Sequence, residues 1–242
     1  MQRIKVCTSF SGNQYLDFGQ KFIESFLEHN DVPLIVFYED EQIDFPEGPK
    51  WERLRSVSQS EFMADFGNLA ASHGIVGKKN DKYVTDYRLT CTRFAKKVFA
   101  VTAYHKDCDW WVWIDADVEC IKPFDEKFWK AVCPESGLIS YLGRKDWDHS
   151  ECGFVAYRVG HPVPRAFLKI LRSIYVDGRV FTLPQWHDSF VFDRVMDSFP
   201  AWVPFFHNIS EGVPGNHVWP ETILGEYMVH NKGLRKRGIE YE

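Results

Sequence analysis

The sequence predicts an α/β protein with a mixed, mainly parallel sheet flanked by helices. Three observations predict it. Residues 4–10, 15–29 and 33–38 read as strand, helix and strand, the series of a right-handed crossover unit. The strands at 33–38 and 110–114 are apolar nearly throughout, as in a parallel sheet covered on both faces. The second of these stops abruptly at Asp115-Ala116-Asp117, and open α/β folds place their ligands at the carboxyl edge of the sheet.

The elements follow in order. Ile4 to Phe10 reads as the first strand, and Ser11-Gly12-Asn13 as a turn. Leu16, Phe22, Ile23, Phe26 and Leu27 recur with a helical period over residues 15–29. Residues 39–82 are less regular, and 67–82, rich in Gly, Asn, Ser and Lys, reads as a loop, either a lid or an ordinary surface connection. Residues 86–104 form the clearest helix. Phe94, Ala95, Val98, Phe99 and Thr102 share one face, with Arg93, Lys96 and Lys97 opposite. Such a charged face is ordinarily solvated, and its place just before the acidic motif is what gives it interest. Strands are expected at 110–114, 138–142 and 153–159, helices at 163–176 and 186–198, and short strands at 202–206 and 227–230. No repeat, low-complexity tract or linker interrupts residues 1–242, which predicts a single domain.

Composition narrows the function. Hydrophobic residues make up 45% of the 242 residues, enough for a real core. Aromatics reach 16%, which suits a bulky core or a ring-walled cleft. A net charge of −5 argues against a protein whose main task is gripping nucleic acid, although a local basic patch remains compatible. The six cysteines include no Cys-x-x-Cys pair, which argues against a structural zinc site. No signal-like apolar stretch opens the chain and no run of 18 apolar residues occurs. The expectation is a soluble, cytoplasmic protein with reduced thiols and no transmembrane segment. The glycosylation-like triplet at Asn208 to Ser210 is then fortuitous.

The chemistry concentrates at Trp113-Ile114-Asp115-Ala116-Asp117-Val118. In an extended segment residues i and i+2 point the same way. Two carboxylates held together on one side repel unless a cation lies between them or water solvates them well. Oxygen ligands and two charges suit Mn²⁺ or Mg²⁺, with phosphate oxygens completing the shell.

This segment resembles the DxD motif of GT-A glycosyltransferases, which have a Rossmann-like fold. Its wording is similar to the Leu-Asp-Ala-Asp stretch of the glycogenin-like and lipopolysaccharide galactosyltransferase-like members. The segment His230-Asn231-Lys232-Gly233-Leu234-Arg235-Lys236 is similar to their His-x-x-Gly-x-x-Lys, and together the matches span nearly the whole chain. The resemblance implies a nucleotide-binding half at 1–117 and an acceptor-binding half at 118–242. It implies that Asp117 and His230 ligate the metal, and that Asp115 contacts metal or ribose. Gly233 and Lys236 would hold the diphosphate. Thr8 and Ser9 would lie near the base or ribose, with Arg88 and Arg93 facing the nucleotide. A UDP-sugar donor and retention of anomeric configuration follow from the same likeness. On general grounds, a neutral histidine with two carboxylates suits Mn²⁺. A glycine near phosphates permits close backbone approach, and a lysine supplies a point charge.

Two further segments face the acceptor in this reading. Glu151-Cys152-Gly153 resembles the family's Asn-x-Gly stretch, with Glu151 where Asn usually stands. Gln185-Trp186-His187-Asp188 resembles its Asp-Gln segment at a helix start. Asp188 and Glu151 are the catalytic candidates on that side, and Asp188 also suits a plain helix N-terminus. The acceptor is expected to be a saccharide. The alternative is hydroxymethylated DNA, which the clusters Lys78-Lys79, Arg144-Lys145 and Arg235-Lys236-Arg237 would allow. A nucleotidyltransferase would need a glycine-rich phosphate loop, and residues 9–13 hold one glycine. A non-catalytic nucleotide-sugar binding module is the remaining class.

Overall fold

The structure is a computed structural model, and it describes residues 2–38, 46–54, 62, 65–66, 73–79, 82–145 and 149–231. Its frame is a seven-stranded sheet. The strands are β1 (Ile4–Phe10), β2 (Leu34–Tyr38), β3 (Lys50–Arg53), β6 (Trp110–Ile114), β8 (Ile139–Leu142), β9 (Glu151–Tyr157) and β10 (Phe206–Asn208), in the order β10-β8-β9-β6-β1-β2-β3. Between them in sequence come β4 (Ile75–Lys79), β5 (Lys82–Thr85) and β7 (Val118–Cys120), with β11 (Met228–His230) near the end, all outside this sheet. Pairings β1–β2, β2–β3, β1–β6 and β8–β10 are parallel, whereas β6–β9 and β8–β9 are antiparallel. The mixed, mainly parallel α/β architecture expected from the sequence is the one observed.

Helices cover both faces. On one side pack α1 (Gln20–His29), α3 (Glu126–Val132) and α6 (Ile223–Tyr227); on the other pack α2 (Cys91–Thr102), α4 (Pro162–Val176) and α5 (Asp188–Met196). The period-2 alternation of β6 shows how the two faces are filled. Trp111 and Trp113 enter the core with Val98, Phe99, Phe167 and Phe192. Trp110, Val112 and Ile114 enter the opposite core with Phe22, Phe26, Phe128 and Tyr227. Every residue of β6 is buried, which explains its unbroken apolar run.

Several sequence expectations are corrected. The helix expected over 86–104 begins only at Cys91. The Asp86 carboxylate accepts from the Arg88 backbone N–H at 2.9 Å, and residues Tyr87–Leu89 form a 3₁₀ turn instead. The strand expected at 202–206 is a 3₁₀ turn over Val203–Phe205 followed by β10. Pro204 within it has no N–H to offer a ladder. Of the loop expected at 67–82, residues 75–79 are instead β4, which pairs antiparallel with β5, and residues 67–72 and 80–81 lie outside the described residues. Short elements that carry little periodicity, β3, β7, α3 and α6, were not expected. Among the described residues, no helix is long and apolar enough to cross a membrane.

Candidate active site

Because β1 and β6 run parallel and β9 runs against β6, the ends of β1 and β6 and the start of β9 share one edge of the sheet. Asp115 leaves β6 there, its backbone N–H donating to the Gly153 carbonyl at 2.8 Å. The chain then turns through Asp117 into β7, and β11 pairs antiparallel with it, placing His230 opposite Val118. The Asn231 N–H donates to the Asp117 carbonyl at 2.9 Å, extending that ladder by one residue. This small two-stranded sheet is what carries His230 to the acidic motif. Asp115, Asp117 and His230 each present one ligand atom, all within 4.8 Å of one another. His230 Nε2 lies 3.3 Å from Asp117 Oδ1.

The other ring nitrogen, Nδ1, faces Glu151 Oε1 at 3.2 Å. Burial works against a charge on His230, but Asp117 and Glu151 at its two edges outweigh it and hold its pKa above the usual imidazole value. Gly153 makes room for this ring. A β-carbon built there would lie 2.8 Å from His230 Cε1 and 3.3 Å from Trp219 Cζ3.

Asp115 is held from two directions. Its Oδ1 accepts from the Trp113 indole N–H at 2.8 Å and from Lys97 Nζ at 2.7 Å. The Lys97 ammonium also donates to the Cys152 carbonyl at 2.8 Å and pairs with Asp188 Oδ2 at 2.9 Å. Burial works against the charge of Lys97, yet the carboxylates of Asp115 and Asp188 prevail and hold its pKa above the ordinary lysine value. Lys97 is therefore a half-buried link between the acidic motif and α5. The face of α2 that would ordinarily be solvated is the cavity wall, with Arg93, Lys96 and Lys97 all lining it.

The cavity over this edge has a volume of about 930 Å³, ample for a nucleotide-sugar. Ser9, Arg93, Asp115, Asp117, Glu151, Asp188 and His230 all border it. Thr8 and Arg88 do not, among the described residues. Thr8 is fully buried within β1, and Arg88 is taken up by Asp86 in a forked pair with a closest approach of 2.6 Å. Gly233 and Lys236 lie outside the described residues.

The acceptor-side segments converge on the same cavity. His187 is the N-cap of α5, its Nδ1 accepting from the Phe190 N–H at 3.3 Å, so Asp188 is the first helical residue and not the cap. Asp193, one turn on, accepts from both the backbone N–H and the hydroxyl of Ser150 at 2.7 Å and thereby anchors the start of β9. Arg144 donates to the His149 and Ser150 carbonyls, each at 2.8 Å, and to Asn216 Oδ1 at 2.7 Å. It thus clamps the rim of the cavity, and its guanidinium serves that local structure.

No protein-family model matches the chain, and no curated protein matches its sequence. A solved structure does match. The apo form of mouse xyloside xylosyltransferase 1 superposes with a TM-score of 0.51 over 95% of this chain and 97% of that one, at 9% sequence identity. The chain shares that enzyme's fold. At such identity the likeness carries the architecture, and the site must be argued from its own geometry.

Sequence reasoning missed Lys97, Trp113 and His217. Trp113 had a legible signal, since it stands two residues before Asp115 on the same side of an extended strand. Lys97 had a weaker one, one helical turn beyond Arg93. His217 had none, because it sits in an irregular segment with no pattern around it.

Proposed function

We propose that this chain is a divalent-metal-dependent glycosyltransferase that moves a sugar from a UDP-linked donor to a saccharide hydroxyl with retention of configuration. One observation carries the reading: Asp115, Asp117 and His230 meet within 4.8 Å at the edge of the sheet where the cavity of about 930 Å³ opens. Two carboxylates and an imidazole fit Mn²⁺, and the two carboxylates alone fit Mg²⁺. A cation held there supplies positive charge to the diphosphate as it departs.

The chain's own residues do the rest. Trp113 and Lys97 fix the rotamer of Asp115 through its Oδ1. Glu151 orients the His230 ring from its far side, as carboxylates behind metal-bound histidines commonly do. Ser9 and Arg93, on the cavity wall, are placed to meet the nucleotide. Asp188, only 11% exposed and held by Lys97, is the carboxylate offered to the sugar or the acceptor hydroxyl. Lys97 beside it, at 2.9 Å from Oδ2, fixes where that carboxylate points.

The test is product analysis. The protein is incubated with Mn²⁺, a panel of nucleotide-sugars and oligosaccharide acceptors, with hydroxymethylated duplex DNA in parallel. Release of one nucleoside diphosphate and an α-linked product from an α-linked donor is the expected result. Folded protein that releases nucleotide from no donor would sink the proposal, and transfer to the duplex alone would replace its acceptor.

A further inference from the structure

We infer that Glu151, His217 and His230 form a second metal site, one that takes a borderline transition metal such as Zn²⁺ and competes with the first for His230. The three residues each present a ligand atom, all within 4.8 Å of one another. Both histidines turn Nδ1 toward the same carboxylate. His230 Nδ1 stands 3.2 Å from Glu151 Oε1, and His217 Nδ1 stands 3.8 Å from Oε2. The first distance matches the edge of a tetrahedron around zinc, about 3.3 Å for bonds near 2.0–2.1 Å. Both nitrogens are buried, and neither completes an aligned hydrogen bond among the described residues. A buried polar nitrogen left so is costly, and a metal lone-pair contact would satisfy both at once.

The surroundings hold these groups in place. The His230 side chain is 3% exposed and that of Glu151 is 4%. Ser150, bonded twice to Asp193, fixes the start of β9 just before Glu151. His217 precedes the fully buried Val218 and Trp219, and the Trp219 ring packs 4.7 Å from that of His230. Two imidazoles and one carboxylate are a common zinc donor set, with a fourth position open to water. The first site is richer in carboxylate and suits harder ions.

His230 belongs to both sites through different nitrogens. A neutral imidazole has one lone pair. Given to zinc at Nδ1, it leaves Nε2 carrying a proton toward Asp117, and the first site loses its nitrogen ligand. This regulatory consequence rests on the proposed function, whereas zinc binding does not.

The experiment uses Co²⁺ alone for visible absorption and Zn²⁺ alone against a chromophoric chelator, with no nucleotide present. Wild type and Asp117→Ala should each take one equivalent, with the intense bands of low-coordinate Co²⁺. His217→Ala, and His217→Gln which keeps a polar side chain, should lose about a hundredfold in affinity, since loss of even an outer partner costs roughly 10–100-fold. Their metal-free unfolding midpoints should match wild type. If the His217 variants bind as tightly as wild type, or Asp117→Ala loses the metal, the second site is refuted. Zinc bound as expected in a protein that turns over no nucleotide-sugar would uphold the site and sink only the proposed activity.

Discussion

The β-carbon that Gly153 lacks would lie 2.8 Å from Cε1 of His230. The glycine is there because an imidazole needs its space. Gly153→Ala should push the ring from Asp117 and weaken Mn²⁺ binding by about tenfold or more, while overpacking costs about 1–3 kcal/mol of stability. Calorimetric titration with Mn²⁺ alongside urea unfolding separates the two effects. Unchanged metal affinity would show that His230 is not a ligand.

Lys97 lies between two carboxylates, at 2.7 Å from Asp115 and 2.9 Å from Asp188. Lys97→Met should cost about 3 kcal/mol, because the buried Asp188 and the half-buried Asp115 then lose their shared cation. Adding Asp188→Asn should restore part of that loss, since the pair shares one interaction. Strictly additive losses in a double-mutant cycle by urea denaturation would show that the link carries no coupling.

Asp188→Asn removes the carboxylate proposed to meet the sugar or the acceptor hydroxyl, with little change in shape. Transfer should fall on the order of 10²-fold, and donor hydrolysis without acceptor should fall less. Parallel assays of the two activities decide the matter. An equal loss in both would move Asp188 to the donor side.

His187 gives the fold a dependence on pH. Burial, aided by the nearby His149, Arg144 and Arg88 and opposed by Asp188, lowers its pKa from 6.5 to about 4. The unfolded chain therefore takes up this proton first. The stability involved is fully present above about pH 6.5 and is lost as pH falls toward 4, on the order of 3 kcal/mol in all. His187→Asn, which keeps a helix-capping acceptor, should flatten the acid side of the stability profile between those limits. A profile identical to wild type would assign the acid sensitivity elsewhere.

Much of the site was legible because its signals are local. The run of apolar residues into Asp115 and Asp117 marks a buried strand and its end at the sheet edge, and the structure has that strand with a cavity at its end. His230 was legible through the resemblance around it, though not the β7–β11 pairing that brings it home. Lys97 was not. A lysine on a helix face reads as solvated until the packing of α2 against β6 and α5 is known. Glu151 showed its place in the sequence but not its orientation, because His217, toward which it turns, comes from a segment with no periodicity. Strand β10 was misplaced for a local reason, the proline at 204.

The most direct measurement is Mn²⁺-dependent binding of nucleoside diphosphates, followed by thermal unfolding of wild type and Asp117→Ala. Ligand at a hundredfold excess over its dissociation constant adds about 2.7 kcal/mol, a rise of roughly 5–10 °C for a chain of this size. The expected result is such a rise for wild type with one nucleotide, only in the presence of Mn²⁺, and none for the equally well folded Asp117→Ala. No metal-dependent rise with any nucleotide, or an undiminished rise in the variant, would contradict the assignment of Asp115, Asp117 and His230 as the metal centre of a nucleotide-sugar site.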